Sequence, residues 1–188
     1  MNSAEKKAST SGPKRKRLAT IWLDGCSGCH MSLLDLDEKL IELAAIADVV
    51  HGPLVDAKEF PEDVDVTLVE GGVSSEEDVE KIKIVRARTK LLAGLGDCAV
   101  TANVSGLRNQ FPVENVIDRV YHENSDDGEA PKSGVPRLEV WSKPIHAYVP
   151  VDLWIPGCPP DASTIGFAIE ELLQGRVPDL REHTRFGA

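Results

Sequence analysis

Residues 18 to 23, LATIWL, form an apolar, β-branched and aromatic run that stops at Asp24 and Gly25, the profile of a buried strand. From Met31 to Ala47 the apolar positions fall at Leu33, Leu36, Leu40, Leu43 and Ala47, with Leu34, Ile41 and Ala44 beside them, and that spacing predicts a helix. DVVHGPLV (48 to 55) reads as a second strand and VDVTLVEGG (64 to 72) as a third, ending in a glycine pair. Ser74 followed three residues on by Glu77 has the form of a capping box, and Val79, Ile82 and Val85 supply the apolar face of the helix it starts. TKLLAGLGDCAV (89 to 100) holds a fourth strand, broken at Gly94, Gly96 and Asp97. Residues 122 to 147 are rich in Asp, Gly, Ser and Pro and read as a surface excursion with a small hairpin around RLEVW. VDLWIP (151 to 156) is a fifth strand, and the segment after it carries Ile165, Ala168, Ile169, Leu172 and Leu173 on one helical face.

Strands alternating with helices define an α/β fold, a doubly wound parallel sheet with helices on both faces. In such sheets ligands bind outside the carboxyl ends of the strands. The four cysteines of the chain, Cys26, Cys29, Cys98 and Cys158, all lie in segments that leave strands at that end. Remote in sequence, they are expected to meet at one edge of the molecule.

The length of 188 residues suits one ordinary domain, read here as residues 18–180, between a disordered basic tail (1–17) and a short C-terminal tail (181–188). No apolar run approaches the roughly 18 residues of a membrane span. A formal charge of -10 argues against nucleic acid as the main partner, since the one basic cluster, Lys6, Lys7, Lys14, Arg15, Lys16 and Arg17, sits in the tail. That tail lacks the apolar core of a secretory signal, so a cytoplasmic location is expected. Four thiols in a reducing compartment then point to metal binding or catalysis rather than to disulfides.

Three chemistries compete for these thiols. A thioredoxin-like redox dithiol explains Cys26 and Cys29 but leaves Cys98 and Cys158 without a role. A structural zinc usually draws on two close CxxC hooks, whereas here one pair is close and two cysteines stand singly, so a zinc-stabilised interaction module is the alternative from a different class. Iron-sulfur ligation takes four thiolates from separate loops, and the glycines at 25, 28, 96 and 157 permit close backbone approach to an inorganic core. One [4Fe-4S] cluster is the reading that uses all four.

The ordered motifs WLDGCSGCHMSLLD, GLGDCAV and LWIPGCPP, over residues 18 to 176, resemble the small subunit of nickel-iron hydrogenases, and most of all the electron-transfer subunit of cytoplasmic NAD-reducing hydrogenases. In the related complex I subunit the first two cysteines are adjacent; the two residues between Cys26 and Cys29 favour the hydrogenase side. The resemblance implies a flavodoxin-like fold and a [4Fe-4S] cluster on Cys26, Cys29, Cys98 and Cys158. It also implies a nickel-iron site on a partner large subunit and, as next acceptor, the iron-sulfur and flavin subunits of a NAD-reducing (diaphorase) module. Since no cysteine follows Cys158, one cluster is expected, and the twin-arginine signal of periplasmic relatives is missing. FMN is not expected, because the cysteines stand where a flavodoxin carries its Ser/Thr-rich phosphate loop.

His30, next to Cys29, is a candidate ligand or proton relay, but with four thiolates filling the cluster a surface or helix-capping role is the expectation. Glu70, at the end of the third strand, either tunes the site or contacts the large subunit, or is a solvated loop acid. Trp141, Tyr148 and Trp154 are assigned to packing or a subunit interface.

Overall fold

The structure, a computed structural model, describes residues 15–126, 128–130 and 133–184. Most of the basic tail and the last residues of the C-terminal tail lie outside these. Strand β1 (Lys16–Trp22) leads into α1 (Gly28–Leu34) and α2 (Lys39–Ile46), then β2 (Ala47–His51). β3 (Val64–Glu70) is followed by short β4 (Val73–Ser75) and α3 (Glu76–Arg88). β5 (Thr89–Leu95) runs directly into α4 (Gly96–Thr101), α5 (Asn103–Gly106) and α6 (Val113–Ile117), and β6 (Leu138–Lys143), β7 (Leu153–Ile155) and α7 (Ala162–Leu173) complete the order.

The main sheet has the order β2-β1-β3-β5-β7, and every pair in it is parallel. Numbered within the sheet alone this is 2-1-3-4-5, the flavodoxin-like order, with its switch point between β1 and β3. Alternation along the strands divides the core in two, as the pleat requires. Leu18, Val66, Leu68, Ala93, Leu95, Leu153 and Ile155 pack with Ile165, Ala168, Ile169 and Leu172 of α7. On the other face Ala19, Ile21, Val69 and Leu92 pack with Ile82 and Val85 of α3 and with Ile145 and Val149. Helices therefore cover both faces.

Local departures from the sequence-based expectation have identifiable causes. The helix expected from Met31 to Ala47 is two helices, because Asp37 takes a left-handed turn (φ 49°) between them. A short acidic side chain tolerates that conformation and competes with helical hydrogen bonding. The capping box sits one residue later than Ser74 and Glu77: Ser75 Oγ accepts from Asp78 N at 3.1 Å, and Asp78 Oδ2 accepts from Ser75 N at 3.0 Å. The reason is β4, which keeps Ser74 extended by pairing Val73 with Lys143 and Ser75 with Leu138 of β6. The strand within the excursion thus forms, but it pairs with β4 instead of closing a local hairpin.

Candidate metal centre

The register of the sheet explains why four distant thiols meet. Trp22 of β1 lies level with Glu70 of β3, Glu70 with Leu95 of β5, and Leu95 with Ile155 of β7. The loops bearing Cys26, Cys98 and Cys158 all leave the sheet from this row. Cys29 follows Cys26 as the second residue of α1, inside the helix rather than ahead of it, and Cys98 lies in the first turn of α4. Cys29 and Cys98 are buried, while Cys26 and Cys158 face outward.

The thiols sense one another. Burial pushes the Cys29 thiol far above its ordinary range, reinforced by the charges of Glu70, Cys98, Cys26 and Cys158 in turn. Cys98 is also raised, first by burial and further by Cys158 and Cys26, while the backbone N–H groups of Val104 and Ser105 pull the other way. All four sulfurs therefore share one electrostatic neighbourhood. Among the described residues no three His, Cys, Asp or Glu side chains close on a single point as one metal ion requires.

The scaffold around them is braced by hydrogen bonds. Asp97 N–H donates to Gly157 O at 2.8 Å and Gly157 N–H returns to Asp97 Oδ1 at 2.7 Å, tying the Cys98 turn to the Cys158 loop. Ser32 Oγ donates to Pro160 O at 2.6 Å, which ties α1 to the same loop. Gly96 has φ 78°, and a Cβ there would run into Cys29 Sγ, so only glycine lets α4 start against that sulfur. Asn103 Nδ2 donates to Cys158 Sγ at 3.5 Å.

Beneath the CxxC segment lies a pair whose burial the sequence does not signal. Glu70 is not solvated but fully buried, with a relative exposure of 1%, and His30 is buried rather than at the surface. Glu70 accepts from Cys29 N–H at 3.4 Å and from His30 N–H at 2.9 Å, and its Oε2 also meets His30 Nδ1. One carboxylate thereby fixes the start of α1, where backbone N–H groups have no helical partner. The only sequence signals are an acid ending an otherwise apolar strand and a histidine opening an apolar helix. Sequence marks Asp97 merely as a strand breaker and does not single out Asn103. Of the three aromatics, Trp154 packs against Gly94 and edge-on to His146, Tyr148 joins the α3-side core, and Trp141 is half exposed.

The fit to an iron-sulfur group rests on this donor set: four thiols at one sheet edge, N–H donors aimed at Cys98 and Cys158, and a glycine where the backbone must pass a sulfur. Such N–H groups favour a sulfur-bound anion.

Comparison with known proteins agrees with this architecture. The NADH ubiquinone oxidoreductase 20 Kd subunit family matches residues 26–172, so the chain belongs to that family. Within it, the chain is 36% identical over 170 residues to the delta subunit of NAD-reducing hydrogenase HoxS of Cupriavidus necator, covering 87% of this chain and 81% of that protein. A chain of an NAD+-reducing [NiFe]-hydrogenase solved in the H2-reduced state superposes with a TM-score of 0.87 at 35% identity, over 92% of this chain and 99% of that one. Identity to one subunit of the F420-non-reducing hydrogenase vhu of Methanocaldococcus jannaschii is 42% over 167 residues, 87% of this chain; the chain spans 58% of that relative's length. A [NiFeSe]-hydrogenase chain of Dm. baculatum, at 16% identity and a TM-score of 0.61 over 90% of this chain and 68% of that one, shares the fold.

Proposed function

We propose that the chain is the electron-transfer small subunit of a cytoplasmic NAD-reducing [NiFe] hydrogenase, with one [4Fe-4S] cluster held by Cys26, Cys29, Cys98 and Cys158 in the domain spanning residues 18–180. The observation that carries this reading is the delivery of four thiols to one edge of the sheet by β1, β5 and β7, whose last residues lie level with one another across β3. When bound, such a cluster takes up and passes on single electrons. The nickel-iron centre belongs to a partner large subunit, and the iron-sulfur and flavin subunits of a diaphorase module receive the electrons. Among the described residues no helix is long and apolar enough to cross a membrane.

The chain's own residues supply the ligand geometry and the polarity around it. Glu70 anchors Cys29 through its backbone, the Asp97–Gly157 pair sets the distance between the Cys98 and Cys158 loops, and Asn103, Val104 and Ser105 place N–H groups on two sulfurs. Cys29 and Cys98 form the buried inner side, while exposed Cys26 and Cys158 give the short outward path that electron transfer between subunits needs. Cys98→Ser in the intact complex tests the assignment. Hydrogen-dependent NAD+ reduction is expected to fall to background while nickel remains in the large subunit; full activity in that variant would refute it.

A further inference from the structure

The N–H groups that reach Cys98 depend on a corner in the backbone between α4 and α5. Helix α4 closes with Ala102 N–H on Cys98 O at 2.9 Å, and α5 opens with Gly106 N–H on Ala102 O at 2.6 Å. Between them Ala102 takes a left-handed conformation, φ 63°. Ser27, Asp37 and Asp63 share that sign of φ but carry short polar side chains, whereas Ala102 has only a methyl group and is buried. Such a conformation persists only where its surroundings over-determine it. Its effect is to break the helix and turn back the first N–H groups of α5, which have no carbonyl partner within their own helix. Those of Val104 and Ser105 donate to Cys98.

What holds the corner comes from β6, a strand of the surface excursion that carries none of the thiols. Ser105 Oγ donates to Ala102 O at 2.9 Å, and Ser142 Oγ donates to Ser105 Oγ at 2.8 Å, so two hydroxyls in series polarise toward the corner. Asn109 clamps the strand in place: its Nδ2 donates to Ser142 O and its Oδ1 accepts from Ser142 N–H, both at 2.8 Å. Ser105 and Ser142 are buried, and a Cβ at Gly72 would run into Ser105 Oγ, so the pair is closed in on the β3 side as well. We propose that Ser142, acting through Ser105 and the Ala102 corner, is a positioning residue that raises the reduction potential of the site by keeping the Val104 and Ser105 N–H groups on Cys98.

This role rests on the proposed cluster. Its test is a redox titration of the anaerobically purified complex, followed by EPR at the signal that Cys98→Ser removes, with iron measured in every variant. N–H donors favour the more negative, reduced state. Ser142→Ala is therefore expected to lower the reduced-to-oxidised ratio at a fixed applied potential about threefold, a midpoint lower by about 30 mV at 59 mV per tenfold. Ser105→Ala cuts the same link at its other end and should give a similar shift, with the double variant no lower than either single. Ser142→Thr keeps the hydroxyl and should restore the wild-type midpoint. Thr67→Val breaks another buried hydroxyl pair, Thr67 Oγ1 with Thr89 Oγ1 at 2.8 Å, in the middle of β3; it should lower Tm without moving the midpoint. An unmoved midpoint in both alanine variants at full iron content, or an equal shift in Thr67→Val, would overturn the role of Ser142. A wild type without iron would instead refute the cluster assignment, and this role with it. Should Ser142→Ala not assemble, Ser105→Ala decides the matter.

Discussion

Glu70 holds the start of α1 through one side chain. Its carboxylate ends β3 at the switch point of the sheet and takes hydrogen bonds from Cys29 N, His30 N and His30 Nδ1. Glu70→Gln keeps the shape but loses the charge that strengthens these bonds, so it should lower unfolding stability by about 2 kcal/mol, read as a lower urea midpoint at unchanged slope. An unchanged midpoint would show that the pair does not hold the start of α1. Asn103 is different in kind: its N–H rests on Cys158 sulfur, where it would stabilise the more negative, reduced state of the proposed cluster. Asn103→Leu is expected to lower the reduction potential by about 40 mV, the equivalent of about 1 kcal/mol for one electron, with the absorbance spectrum of the oxidised protein unaltered. A potential that does not move would remove Asn103 from the tuning groups. The cysteines themselves are legible from sequence because each lies just past the end of an apolar run. The Glu70–His30 pair is not, because its members are 40 positions apart and nothing local marks either as buried.

Elements explain which parts of the fold can be read ahead. β1, β3, β5 and α7 are signalled by their own side chains, and the strands and the last helix form close to where the apolar pattern puts them. The break between α1 and α2 is hidden, since Leu33, Leu36, Leu40 and Leu43 keep a helical period through it; Asp37 decides the turn by backbone preference alone. β4 is invisible because three residues carry no periodicity, and its pairing with β6 moves the start of α3 by one residue. The cap of α7 gives a test with a pH sign. Asp161 accepts from Thr164 N at 3.0 Å, and hydrogen bonds from Ser163 and Thr164 hold its carboxyl below the usual range. A depressed carboxyl stabilises the fold above its unfolded pKa of about 4 and loses that contribution as pH falls through the lower folded value. Asp161→Ala should therefore cost about 1 kcal/mol at neutral pH, with the difference from wild type closing only below about pH 4. A difference of constant size down to pH 2 would mean that the carboxylate is not the cap.

At the scale of the molecule, a parallel sheet gathers its strand ends into one row, and this row gathers the thiols. Trp22, Glu70, Leu95 and Ile155 are that row, and the expectation that Cys26, Cys29, Cys98 and Cys158 meet needs only the sheet rule and the position of each cysteine. What no sheet rule supplies is the spacing of the sulfurs, which depends on the Asp97–Gly157 and Ser32–Pro160 bonds between loops. A cluster and a single ion differ in the metal and sulfide they bring. The decisive determination is therefore iron, zinc and acid-labile sulfide per chain in anaerobically purified protein, with absorbance followed on adding dithionite. About four irons and four sulfides per chain are expected, with a visible band that bleaches on reduction. One zinc per chain, no sulfide and a colourless protein would contradict the cluster assignment.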